Sequence, residues 1–137
     1  MCGGVYYQQN NQDVWVYFPN PTAMLPVKTK HQEIILLPWG RRKEQAGKLP
    51  LGGWARIESI YAGRWDRFLP TPVKIQIKAF MEKDIVGKSH WFEITTGQCI
   101  QGLVAHDKYE RRVYVVTITP EMEDAVHERW PRILMST

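Results

Sequence analysis

The sequence predicts an α+β fold, a curved antiparallel β-sheet or open barrel carrying a few short helices. Three observations lead there. Segments rich in β-branched and aromatic residues recur along the chain, separated by polar or glycine-containing turns. One of them, Val73-Lys74-Ile75-Gln76-Ile77-Lys78-Ala79, alternates apolar and polar side chains as a half-buried antiparallel strand requires. Helical patterns are confined to two short stretches.

Taken in chain order, residues 5–8 and 14–18 read as paired strands, with the polar run between them as a hairpin turn. Residues 34–37 form a short buried strand. Residues 41–53, rich in charge, Gly and Pro, read as an exposed loop rather than a linker, because neither flank is long enough to fold alone. A helix is expected over residues 55–61, after Gly52-Gly53. The alternating strand 73–79 follows, then strands over 91–95, 99–104 and 112–119, with Thr96-Gly97 turning between the first two of these. Thr119-Pro120-Glu121-Met122-Glu123-Asp124 opens a second helix that runs to Glu128. Thr can cap it, Pro suits the first helical position, and the acids complement the helix dipole.

A chain of 137 residues has the size of one compact domain, spanning 1–137. An apolar fraction of 44% and a charged fraction of 23% exclude the disordered, collagen-like and coiled-coil classes. The longest apolar run, residues 34–39, contains Pro38 and falls far short of the roughly 20 residues of a membrane span, so no membrane partner is expected. Met-Cys-Gly-Gly-Val has neither the basic nor the apolar part of a secretory signal, which makes the expected compartment cytoplasmic and reducing. Cys2 and Cys99 are too few for a disulfide scaffold and lack a Cys-x-x-Cys spacing, so neither a metal nor a small-molecule cofactor is expected. A net charge of +4, with clusters at Arg41-Arg42-Lys43, Arg64/Arg67, Arg111-Arg112 and Arg129/Arg132, allows a polyanionic partner. Six tryptophans offer core filler, interface anchors or platforms for base stacking.

Cys2 is the position with the most chemistry. A small second residue permits removal of Met1, and the new terminus would carry an amine and a thiol on adjacent carbons. With an ordinary pKa of about 7.7 to 8.0, such an amine is partly neutral at physiological pH and attacks aldehydes to form imines. The neighbouring thiol then closes a thiazolidine ring. The plain alternative is an incidental residue at a frayed end.

Several segments, in order, resemble the SOS-response-associated peptidase (SRAP) family. Met1-Cys2-Gly3 resembles that family's start, and Phe18-Pro19-Asn20 with Leu25-Pro26-Val27 its early Pro-rich stretch. Leu37-Pro38-Trp39-Gly40 resembles its tryptophan-glycine motif, and Trp54-Ala55-Arg56-Ile57-Glu58 its Asn-Ala-Arg-x-Glu motif. Ala79-Phe80-Met81-Glu82-Lys83 is similar to its Gly-Phe-Tyr-Glu-Trp segment, with Gly102-Leu103-Val104 and residues 115–120 as its following strands. His127-Glu128-Arg129-Trp130-Pro131-Arg132-Ile133-Leu134 is similar to its closing His-x-Arg-Met-Pro-x-Ile-Leu motif.

The resemblance implies a protein that binds single-stranded DNA and traps abasic-site DNA as a thiazolidine, after autoremoval of Met1. It makes Cys2 the nucleophile, Glu82 the acid/base carboxylate and His127 a second proton-handling group. Arg56 and Arg129 become phosphate contacts, and Trp39 stacks on a base or wedges beside it. Each has an alternative. Glu93 is a rival carboxylate. The two arginines have Glu58 and Glu128 as possible ion-pair partners, and His127 sits where a helix C-terminus favours a cation regardless of chemistry. Trp39, like Trp65 and Trp91, can equally be core.

The chain also departs from the family pattern. Trp54 stands where the family has an asparagine that orients the cysteine, and an indole offers no amide. Gly4 replaces an arginine, Lys83 a tryptophan and Trp130 a methionine. Two other classes of reading therefore stand beside the first: a non-catalytic nucleic-acid-binding domain that retains the fold, and a structural or interaction protein.

Overall fold

A computed structural model describes residues 2–120 and 129–135. The expected second helix, beyond Thr119 and Pro120, and His127 lie outside the described residues. Strands dominate, in two sheets that do not close into a barrel.

The first sheet begins with a hairpin of β1 (Cys2–Gln9) and β2 (Gln12–Tyr17). Asn10 and Asn11 both take positive φ, 53° and 64°, as a two-residue turn matched to strand twist demands. β7 (Ala79–Lys83) pairs with the other edge of β1, and β8 (Ser89–Glu93) with β7, giving the order β2-β1-β7-β8.

The second sheet has β3 (Met24–Lys28) and β4 (Ile34–Pro38) as a hairpin, followed by β6 (Thr71–Ile75), β9 (Gln98–His106) and β10 (Arg111–Ile118). Three short strands are added to it. β5 (Trp54–Arg56) runs parallel to β10, β11 (Trp130–Pro131) pairs with β10, and β12 (Ile133–Met135) pairs with β9. Helix α1 (Ile57–Tyr61) follows β5, so the helix expected from residue 55 begins two residues later, after a strand.

The alternating segment 73–79 is not one strand. β6 ends at Ile75 and β7 begins at Ala79, in different sheets. The extended backbone between them is shared: Gln76 N–H donates to Pro26 O at 2.9 Å, and Lys78 N–H to Tyr6 O at 2.8 Å. A strand that changes sheet at a corner keeps its period of two throughout.

Two cores result. Val5, Leu25, Val27, Ile75, Phe80 and Ile100 belong to the larger, which packs the two sheets on each other. The smaller, around Leu49, Trp65, Leu103 and Tyr114, fills the far face of the second sheet beneath α1. The loop expected over residues 41–53 is organised by its own arginines. Arg41 reaches Leu49 O and Gln45 O, both at 2.7 Å, and the buried Arg42 donates to Phe18 O at 2.5 Å and Trp39 O at 2.7 Å. Gly40 enters this loop with φ +55°, and a Cβ there would lie 2.1 Å from Gly52 O.

Candidate functional site

Cys2 opens β1 and is aimed by an irregularity. The β1–β7 register runs Val5↔Phe80 and Gly4↔Met81, then slips so that Cys2 stands opposite Glu82. Strict alternation would give Cys2 the same face as Gly4 and Tyr6. The slip instead turns it to the side of Phe80 and Glu82, the kind of re-aiming for which β-bulges are used. Cys2 and Glu82 are both 0% exposed. The rival Glu93 is exposed on β8 opposite Ala79, so it is Glu82 that the strands bring to Cys2.

The Cys2 thiol donates to Gly4 O at 3.4 Å. Burial pushes its pKa well up, and the neighbouring Glu82 charge adds to that. In the described state the sulfur is therefore a thiol, not a thiolate. Trp54, which offers no amide, is nonetheless bonded to this residue. Its indole N–H donates to Cys2 O at 2.6 Å, so this side chain holds Cys2 through the main chain. Phe18 N–H donates to Gly3 O at 3.1 Å and fixes the next residue. Phe18, Trp39 and Trp54 pack together behind this point, with ring centroids 4.8 to 6.4 Å apart.

Trp39 is 0% exposed, and its N–H is used by Gly53 O at 3.0 Å, so neither ring face is open to a base. It is core, and the stacking expectation fails at this residue. The exposed indoles are Trp15 (56%) and Trp91 (40%), on the outer face of the first sheet, where Trp15 lies over Tyr6 and Trp91 against Tyr17. The alternation in residues 14–18 was the signal that could have singled out Trp15 as outward-facing.

Arg56 and Arg129 both act on Glu58 near the end of β5. Arg56 shares a strand face with Trp54, two residues away, and is exposed. Arg129 is only 7% exposed. It donates to Thr117 O at 2.7 Å, to Thr119 Oγ1 at 3.1 Å and to Glu58 Oε2 at 3.0 Å. This guanidinium ties β10, α1 and the closing segment together, and its carboxylate partner is Glu58. Its expected part as a phosphate contact gives way to a structural one, because its donors are already spent on these groups. Glu58 is held below the usual carboxylate range, chiefly by that hydrogen bond. Trp130 packs edge-on to Phe80 and Phe92 at 5.0 and 4.9 Å.

Cys2, Glu82 and Trp54 thus form one neighbourhood, with Arg56 two residues along β5 on the same strand face as Trp54. Among the described residues no cluster of His, Cys, Asp and Glu could hold a metal ion, and no helix is long and apolar enough to cross a membrane. Comparison with known proteins gives no match to the chain, whether to a family model, a curated protein or a solved structure.

Proposed function

We propose that the chain is an SRAP-like, cytoplasmic single-stranded DNA-binding protein that captures abasic sites through Cys2 once Met1 has been removed. The observation that carries this reading is the register slip that sets Cys2 opposite the buried Glu82. A buried carboxyl beside an amino-thiol is what the chemistry needs.

The freed amine of Cys2 attacks the sugar aldehyde, forming a C–N bond while its proton passes to the oxygen. The Glu82 carboxyl then protonates the resulting hydroxyl, which leaves as water and gives an iminium ion. Glu82, now a carboxylate, takes the thiol proton, and the sulfur closes on the same carbon. The product is a neutral thiazolidine, one water is released, and the carboxyl regains its proton. A thiol with a raised pKa suits this order, since the amine must react first. The hydrogen bond from Trp54 limits the conformations open to the attacking residue, and misaiming a nucleophile can cost on the order of a hundredfold in rate. Arg56, exposed on the strand face it shares with Trp54, is the cation this reading assigns to a phosphate, and the resemblance adds His127 as a second proton-handling group.

Intact-mass measurement decides the first step by reading whether Met1 is present. Protein lacking Met1, mixed with a single-stranded oligonucleotide bearing an abasic site, should give a heat-resistant adduct weighing the sum of the two less one water. An adduct that survives Cys2→Ala would reject the mechanism. Full burial of the Cys2 sulfur favours a second reading, a nucleic-acid-binding domain without this chemistry. Strand binding with no adduct from Met1-free protein would establish it.

A further inference from the structure

The inner face of the first sheet carries a row of titratable side chains beside an apolar one. In the apolar row Val5, Phe80 and Phe92 stand in register across β1, β7 and β8, and the two phenylalanine rings stack with centroids 5.6 Å apart. Two residues further along β7, the next row on the same face is Cys2, Glu82 and His90. Directly opposed residues on neighbouring strands have Cβ atoms about 4.5–5.5 Å apart. His90 is thus the neighbour of Glu82 on the side away from Cys2. Burial falls along the row, since Cys2 and Glu82 are 0% exposed while the His90 side chain is 41% exposed.

Asp84 fixes the imidazole. The turn between β7 and β8 is folded around this carboxylate: Oδ1 accepts from the Val86 N–H at 3.0 Å and the Lys88 N–H at 2.9 Å, and Oδ2 lies 2.8 Å from His90 Nε2. These bonds, the one from His90 foremost, hold the Asp84 carboxyl below the usual carboxylate range. At neutral pH it is ionised and can only accept. Nε2 therefore carries a hydrogen, and Nδ1 is the ring nitrogen left to take and give a proton. Nδ1 is bonded to Cγ, which keeps it close to the strand, where Glu82 is the direct cross-strand neighbour.

We infer that His90, held by Asp84, is the proton relay between Glu82 and solvent. The Glu82 carboxyl must carry a proton to expel water as the iminium forms, yet it is closed off from bulk water. His90 spans that gap. Its Nδ1 takes a proton from solvent, giving an imidazolium paired with Asp84. The Nδ1–H bond then breaks as the proton passes to a Glu82 oxygen, directly or through one water, and the imidazole is left neutral with its Nε2 hydrogen still on Asp84. The reverse sequence discharges Glu82. His90 touches none of the reacting atoms: it is a positioning residue that acts through Glu82, and Asp84 acts through His90. The inference rests on the Cys2 reaction proposed above for the step that the relay serves, whereas the His90–Asp84 pair and its place beside Glu82 do not depend on it.

The test is the single-turnover rate of adduct formation between Met1-free protein and a single-stranded oligonucleotide bearing an abasic site, at fixed pH and ionic strength. His90→Gln keeps a donor for Asp84 but cannot relay, and should react about a hundredfold more slowly, the low end of what a proton-transfer group contributes. Asp84→Asn turns the acceptor facing Nε2 into a donor and moves the imidazole hydrogen to Nδ1, so it should also slow the reaction. A thermal melt shows that each variant is folded. His90→Ala leaves room for a free imidazole beside Glu82, and its rate should rise with added imidazole while the parent's does not. A role confined to holding the turn would give no such rescue. The relay is overturned, and the Cys2 chemistry left standing, by any of three results: folded His90→Gln and Asp84→Asn reacting at the parent's rate, a slow His90→Ala indifferent to imidazole, or equal rescue of Glu82→Gln, which lacks the carboxyl that the relay serves. No adduct from the Met1-free parent overturns both.

Discussion

Replacing Trp54 by Phe tests the brace behind Cys2, because it removes one N–H and leaves most of the ring. The indole donates to Cys2 O at 2.6 Å, and its ring lies 4.8 Å from Phe18 and 6.4 Å from Trp39. A neutral hydrogen bond contributes about 0.5–1.5 kcal/mol net, and an acceptor left buried and unsatisfied costs about 1–3 kcal/mol. The aromatic contacts, each of about 0.5–1.5 kcal/mol, are largely kept by phenylalanine. Trp54→Phe should therefore lose about 1–3 kcal/mol. For a chain of 137 residues, that lowers the melting temperature by about 3–12 °C at roughly 3–4 °C per kcal/mol. The assay is thermal unfolding followed by circular dichroism, with hydrogen exchange at the amides of β1 as the local readout. Faster exchange should be confined to the start of β1 and its β7 partner. A melting temperature unchanged to within about a degree, with no change in exchange there, would refute the bond's role. Trp54→Asn is a harsher change, since truncating a large aromatic in a packed site costs about 3–5 kcal/mol. It should lower adduct yield through instability, not raise it by restoring an amide.

Three further outcomes follow from the geometry. Cys2 and Cys99 are buried and burial pushes both thiols up, so iodoacetamide at neutral pH should label neither in native protein carrying Met1 and both after denaturation, read by mass. Glu58 and Asp84 are held low chiefly by hydrogen bonds from Arg129 and His90. A carboxylate depressed in the folded state contributes stability above its unfolded pKa of about 4 and loses it as pH falls through the folded value. Denaturant midpoints should therefore drop below about pH 4, and Glu58→Gln with Asp84→Asn should flatten that limb. Gly40→Ala combines a positive φ with a Cβ 2.1 Å from Gly52 O, and should cost about 2 kcal/mol or more in equilibrium unfolding.

How far the sequence revealed this molecule depended on whether its signals were local. The β1–β2 hairpin was legible because two asparagines satisfy a turn that needs two positive φ angles. β9 and β10 were legible as continuous apolar strands, and each is largely buried. β3 was hidden by Pro26, which lacks a donor but still accepts from Gln76 through its carbonyl. The sheet change after Ile75 left no trace, because alternation is the same on either side of a corner. At the site, the resemblance offered Glu82 as a carboxylate for Cys2, but the bulge that sets the two opposite each other left no sign in the sequence. Whether Trp39 is core or platform was undecidable locally, since burial is set by Phe18, Gly53 and Trp54 from elsewhere in the chain.

The basic clusters show why net charge alone is weak evidence for a partner. Arg41, Arg42, Arg112 and Arg129 spend their donors on main-chain carbonyls of the loop after Trp39 and of β10, and on Glu110 and Glu58. Those four arginines belong to the fold. A partner must be met by cations that remain exposed, and among the described residues these include Arg56 beside Trp54, Arg64 with Arg67, and Lys43, Lys83 and Lys88. A strand held at Arg56 alone should bind weakly and with a shallow salt slope, since few phosphates are neutralised there. A steep slope therefore requires several of these exposed cations to meet the strand at once.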